Sequence, residues 1–285
     1  RMRDSNWDLS AEVQQEVLTG LSVTAGYYWN NGGYYYTDSN VRVTDNLLVG
    51  PADYDEFCVT APVDSRLPGG GGNEVCGLYD LNPAKFGTQQ NVVTNTSKFG
   101  SDVRRNHFLN FSWDARLANG IRFGGGLDSG RTTKAACNVV DSPEQAWFTR
   151  GVGWGSIPTQ FCDSTRSWGA QTQFKMFGNI PLPGDFGVSG TMQNLSGVEN
   201  LATWAVPSAT VAQTLGRPLS GGARNVNVPL LGPHERHEAR ISRVDLRVTK
   251  IIRAGDLRFT LNLDAYNAFN SNSIRETNQV FGSSW

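Results

Sequence analysis

A chain of 285 residues is long enough for one large sheet structure or two ordinary domains. With 39% hydrophobic and 18% charged residues and a formal net charge of -1, disorder and a polyanion-binding surface are both disfavoured, so no nucleic-acid partner is expected. No apolar run nears the roughly 18 residues of a membrane helix, so any membrane span has to be made by strands.

In chain order, Trp7, Leu9, Ala11, Val13 and Val17 alternate with Asp8, Ser10, Glu12, Gln14 and Glu16. Successive side chains leave opposite faces of a pleated strand, so period two predicts a strand with one apolar and one wet face. A turn at Thr19-Gly20 leads into Leu21, Val23, Ala25, Tyr27 and Trp29, alternating with Ser22, Thr24, Gly26, Tyr28 and Asn30. This second strand is expected to run on through Tyr34, Tyr35 and Tyr36 towards Val43. The stretch from Asp45 to Asp102 holds Pro51, Pro62, Pro68 and the run Gly69–Gly72, and is expected to be a long irregular connection.

A second hairpin uses Leu109, Phe111, Trp113, Ala115 and Leu117, turns at Asn119-Gly120, and returns on Ile121, Phe123, Gly125 and Leu127. Its polar set includes Arg116, Arg122 and Asp128. His107, with apolar-face parity near a strand end, is placed at an interface. After a loop from Thr132 to Thr165, a third hairpin runs Trp168, Ala170, Thr172, Phe174 and Met176 against Gln171, Gln173 and Lys175. It turns through Pro181–Asp185 and returns on Phe186, Val188 and Met192. The connection from Leu195 to Arg240 is long, with Leu201–Val206 and Asn225–Leu230 read as strand extensions beyond the sheet.

The fourth hairpin, Arg243 to Asn270, has the clearest alternation. Val244, Leu246 and Val248 oppose Leu257, Phe259, Leu261 and Leu263 across a turn at Ala254-Gly255. Pairing Arg253 with Asp256 puts Val248 against Leu261, Leu246 against Leu263, and Asp245 against Asp264. Arms of about 10 residues suit tilted strands crossing a bilayer, which need about 9–11. Short turns on one side and long connections on the other predict an all-β, antiparallel up-and-down transmembrane barrel wall with long external loops. Aromatics near strand ends (Trp7, Tyr27, Trp29, Trp168, Phe186, Phe269) fit interfacial girdles.

Cys58 and Cys76 share one long loop, and Cys137 and Cys162 share the next. Local disulfides Cys58–Cys76 and Cys137–Cys162 on an oxidising external side are the expected pairing.

No catalytic constellation is present, so the chain is not read as an enzyme, and no cofactor is expected. His234-Glu235-Arg236-His237-Glu238 lacks the order and the helix of a zinc protease. Asp53, Asp55, Glu56 and Asp64 offer oxygen atoms near Cys58 without the spacing of a calcium loop. The candidate lumen- or plug-facing residues are Arg116, Arg122, Asp128, Gln171, Gln173, Lys175, Arg247, Asn262 and Asp264. The candidate solute-contacting aromatics in the loops are Tyr34, Tyr35, Tyr36, Tyr54, Phe57, Trp154 and Trp204.

The segment Arg243-Val244-Asp245-Leu246-Arg247-Val248-Thr249-Lys250, followed by Leu263-Asp264-Ala265-Tyr266-Asn267-Ala268-Phe269-Asn270, resembles the end of a TonB-dependent outer-membrane receptor barrel. The likeness is greatest to the Oar-like branch, whose chains begin with a carboxypeptidase-regulatory-like domain. Pro51–Cys58, Cys76–Pro83 and Asp141-Ser142-Pro143 are similar to external loops of that branch, and the likeness extends over essentially the whole chain. The resemblance implies about eight strands of a 22-stranded barrel, residues 1–285 being its C-terminal part, with the plug domain and closing strand outside the chain. It also implies residence in the bacterial outer membrane, contact with outer-membrane lipid, and coupling to a TonB complex through the plug. The implied function is active uptake of a large solute. A passive porin and a surface adhesion or matrix-organising protein on the same wall are the alternatives.

Overall fold

The computed structural model describes residues 7–31, 42–100, 103–135, 137–145 and 158–285. Its strands, in chain order, are β1 (Trp7–Leu18), β2 (Leu21–Asn31), β3 (Arg42–Asn46), β4 (Tyr54–Thr60) and β5 (Glu74–Leu81). There follow β6 (Asn91–Asn95), β7 (Val103–Arg116), β8 (Arg122–Ala135), β9 (Asp163–Arg166) and β10 (Gln173–Leu182). The chain continues with β11 (Phe186–Leu195), β12 (Thr203–Pro207), β13 (Asn225–Pro229), β14 (Ile241–Ala254) and β15 (Leu257–Ala265).

The protein is all-β in its organisation. Its main sheet has the order β1-β2-β7-β8-β10-β11-β14-β15, with short β9 added beside the far end of β8. Every neighbouring pair is antiparallel. Among the described residues the sheet is open, with β1 and β15 outermost. Four tight connections close the hairpins at one end: 19–20, 117–121, 183–185 and 255–256. At Asn119-Gly120 the glycine takes a φ of 82°, a left-handed conformation that a side chain would resist.

Registers carry the apolar parity across the whole sheet. One row reads Val13, Ala25, Phe111, Leu127 and Phe174 on successive strands, and another reads Ile180, Val188, Val248 and Leu263. These side chains are not a core. Leu246, Leu261 and Leu263 are 43%, 56% and 74% exposed, whereas Leu78 in β5 is 0% exposed. The buried apolar groups lie in the long connections instead. Phe57, Val59, Ala61, Val75 and Leu78 of the β4–β5 hairpin pack on Val206, Val211, Leu219 and Val228 from the β11–β14 connection.

The sheet end opposite the tight turns therefore carries a packed loop layer. A second cluster in it, Leu67, Ala202 and Leu231, is covered by Phe281 and Trp285 from beyond β15. The β8–β10 connection joins through Tyr79 Oη to Val140 O, 3.3 Å, and Gln145 Nε2 to Thr44 O, 3.5 Å. Cys58–Cys76 and Cys137–Cys162 are both bonded, so each staple closes within one connection.

Several expectations are corrected. The described part of the expected irregular stretch, residues 45–100, is not irregular, because β3 pairs β6 and β4 pairs β5 inside it. β2 is described to Asn31, its expected continuation through Tyr34, Tyr35 and Tyr36 lying outside the described residues, and Arg42–Asn46 pairs with β6 rather than with the main sheet. β12 and β13 exist but pair with each other, with Thr203 also bridging Val280, as a unit of the loop layer rather than extensions of the main sheet. They are bridged by the helix Ser208–Leu215, which ends on Gly216 at a φ of 76° with its N–H bonded to Ala212 O. Trp168–Gln171 forms a helical turn, not a strand, because Ser167 accepts from Ala170 N–H at the N-cap.

The fourth hairpin is slipped by two residues from its expected pairing. Gly255-Asp256 is the turn, Gly255 having a φ of 59°, and Arg253 opposes Arg258. Leu246 thus faces Ala265, and Val248 faces Leu263. A shift of two keeps every side chain on its face. It replaces the like-charge contact of Asp245 with Asp264 by an ion pair of Arg247 with Asp264, while setting Arg253 opposite Arg258.

Candidate functional site

The wet face of the sheet concentrates the polar chemistry. Arg247 holds Asp264 with two parallel bonds, Nε to Oδ1 at 2.6 Å and Nη2 to Oδ2 at 3.0 Å. One row along, the Thr249 hydroxyl donates to Asn262 Oδ1 at 2.8 Å. Asn110 Nδ2 donates to Asp128 at 2.7 Å. Arg116 and Arg122 are directly opposed beside the Asn119-Gly120 turn, and Asp114 lies 3.3 and 3.2 Å from them. Arg122 also stacks its guanidinium 5.7 Å from the Phe177 ring centre.

Of the nine expected wet-face residues, eight lie on strands of this sheet. Gln171 does not. Its Nε2 donates to Thr132 Oγ1 at 3.1 Å and Arg166 O at 3.3 Å, so it ties the helical turn to the wall. Most of the others are consumed by cross-strand partners. Lys175 is different: it sits opposite Gly126 and Gln193, next to Gln173, and makes no ion pair among the described residues. An ammonium without a carboxylate partner can accept an anionic group from outside the sheet.

Three aromatic side chains on the wet face were not singled out from the sequence as solute contacts. Tyr28, Phe108 and Phe177 are 36–39% exposed and share parity with Asp128 and Lys175. A Cβ on Gly130 would strike the Phe108 ring, and one on Gly124 would come 2.9 Å from Phe177. Both rings therefore lie flat over the glycines opposite them. Tyr28 Oη donates to Glu12 at 2.6 Å. The available signal was the doublets Tyr27-Tyr28, Phe108-Leu109 and Met176-Phe177, each putting an apolar ring on the polar beat of an alternating strand. Flat, half-exposed rings beside hydrogen-bonding groups suit stacking on sugars or aromatic solutes.

The loop aromatics serve packing. Phe57 is 3% exposed inside the loop core, which removes it as a solute contact. Trp204 is half-buried against the same cluster. Tyr54 is half-buried, and its phenol is pushed up to about 12 by burial and then by Glu144, Asp53 and Asp80, so it remains a donor. Tyr34, Tyr35, Tyr36 and Trp154 lie outside the described residues.

Several carboxylates of the loop layer are matched to cations. Arg217 joins Asp55 at 2.6 Å and also contacts Asp80, linking the β11–β14 connection to the β4–β5 hairpin. Lys85 lies 3.4 Å from Asp53. Glu199 accepts from the His234 backbone N–H, its carboxylate lies 3.1 Å from His234 Nδ1, and the His234 and His237 rings stack at 6.4 Å. Burial lowers His237 below the ordinary imidazole range. Among the described residues no three of His, Cys, Asp and Glu gather to hold a metal ion.

Asp64 and Arg66 fasten the last segment. Arg66 bonds Asp64 at 2.7 Å, reaches Gly282 O at 3.2 Å and lies 5.1 Å from the Trp285 ring centre. The Arg66 guanidinium, then its backbone N–H, hold the Asp64 carboxyl down to about 2 from 3.8. A depressed acid contributes stability above its unfolded value and loses it as pH falls through the folded one. The Trp285 anchor is therefore expected to persist at pH 4 and release towards pH 2. A fluorotryptophan resonance at position 285 checks this, and Asp64→Asn, which removes the titrating carboxyl, should abolish the pH step between 4 and 2.

No protein-family model, curated protein or solved structure matches the chain.

Proposed function

We propose that this chain is part of the wall and external loops of a bacterial outer-membrane transporter of the TonB-dependent type, importing a large solute. The observation that carries the proposal is the pairing of two features in one sheet. Eight strands of 9–14 residues in up-and-down order keep an apolar face exposed. Meanwhile the packed core sits beyond the sheet's end, in the connections. In water such a face would be covered by a second layer; in a bilayer, hydrocarbon covers it. A wet face carrying Lys175, Asp128 and flat aromatic rings supplies a lumen able to bind solute. The TonB coupling, the plug and the 22-strand closure rest on the resemblance at Arg243–Lys250 and Leu263–Asn270.

The test is electrical and metabolic. The full-length protein in planar bilayers should show almost no steady conductance, and removing an upstream plug should open a large pore. Solute uptake by cells should stop on loss of TonB or of the proton gradient, while binding to the outer loops persists. Steady conductance by the intact protein would favour the porin. Absence of uptake, with firm binding to cells or matrix polymer, would favour adhesion.

A further inference from the structure

The loop-layer end of the apolar face carries a basic cluster that meets no carboxylate among the described residues. In the β7–β8 register Arg131 faces His107 and Arg105 faces Thr133, so Arg105 and Arg131 are diagonal neighbours around the imidazole. Diagonal residues in an antiparallel pair lie roughly 7–8 Å apart, within reach of one shared anion for side chains as long as arginine. β2 sets Trp29 opposite His107 and Tyr27 opposite Leu109. Tyr27 Oη is 2.8 Å from His107 Nδ1, which fixes both on the same face. One row towards the tight turns that face holds Leu109 opposite Ser129, and the next row is apolar, Phe111 opposite Leu127.

Arg105 and Arg131 are both exposed, and among the described residues neither pairs with a carboxylate. The nearest acid of that parity on β7, β8 or β9 is Asp163, opposite Ala135 and two rows further into the loops. A like-charged cluster on a largely apolar face, with no acid partner among the described residues, suits an anion from outside the chain. Guanidinium forks match phosphate oxygens in pairs. The apolar strip directly beneath gives the anion a tail to go with it. We propose that Arg105, His107 and Arg131 form a headgroup site for a phosphate-bearing lipid of the outer leaflet, its acyl chains lying along Leu109, Phe111 and Leu127. The proposal rests on reading this face as the bilayer face; a soluble phosphate would leave the apolar half of the site unused.

The full-length protein, refolded into phosphatidylcholine vesicles, is titrated with spin-labelled phosphatidic acid and with diacylglycerol of the same chains. Heat-modifiable mobility reports insertion separately from lipid retention. Phosphatidic acid should be retained in preference to diacylglycerol, and Arg105→Gln with Arg131→Gln should reduce that preference about thirtyfold. Arg105→Lys with Arg131→Lys should keep most of it, and Arg122→Gln, on the opposite face, should leave it unchanged. Equal retention of the two lipids by the inserted parent protein overturns the site, whatever the variants do. So does an unaltered preference in the inserted glutamine pair, or displacement of the lipid by inorganic phosphate at equal concentration. Failure of the parent protein to insert at all overturns the bilayer reading and the site with it.

Discussion

Leu246→Arg should cost roughly 2–4 kcal/mol in membrane assembly, the cost of a guanidinium near the midplane of a barrel's lipid face. Leu246 stands near the middle of β14, 43% exposed, its side chain lying over Gly190 of β11. No acid shares its row, which reads Phe123, Gly178, Gly190, Leu246 and Ala265. Thr191→Arg is the matched control. Thr191 is exposed on the other face, directly opposite Asp245, so the same cation there gains a carboxylate neighbour. Its effect should stay within about 1 kcal/mol. Denaturant titration in vesicles, with heat-modifiable mobility as the folding signal, measures both. Equal defects from the two variants would mean that the two faces meet the same solvent, and would sink the bilayer assignment.

Leu78→Ala should destabilise the loop layer by about 2–5 kcal/mol, since truncating a fully buried leucine loses its transfer energy and leaves a cavity. Leu78 is 0% exposed and opposes Phe57 in the β4–β5 hairpin. The hairpin is already stapled by Cys58–Cys76, a link worth about 3 kcal/mol against the opened chain. Reduction and Leu78→Ala should therefore act together on one unit. Protease sensitivity of residues 54–81 and 203–229 should rise in parallel, because Val206, Val211 and Val228 share the cluster. The wall should keep its heat-modifiable mobility, since its strands contribute nothing to that core. Loss of the wall along with the loops would show the layer to be a folding requirement of the sheet rather than a body built upon it.

What the sequence determined by itself was local. Period-two alternation fixed the faces of the eight wall strands, because side-chain parity follows from the geometry of a single strand. The tight turns were legible for the same reason: Asn119-Gly120 and Thr19-Gly20 act through their own backbone preferences. Both disulfides fell within single connections, so their pairing followed from proximity along the chain.

The rest was decided by contacts across long separations. The last hairpin's register was not legible, since slipping two residues leaves parity untouched and alternation cannot choose; the observed one brings Arg247 onto Asp264. Gln171 left the wet face because Ser167 caps a helical turn, a side-chain-to-backbone bond that competes with an alternating pattern. Phe57 turned from a candidate solute contact into core because its partners, Val206, Val211 and Val228, come from another connection some 150 residues away. Phe108 and Phe177 became flat, exposed rings only once pairing set Gly130 and Gly124 beneath them. Backbone periodicity is written residue by residue, but which loop packs on which, and which cation finds which acid, is fixed only when distant strands are brought side by side.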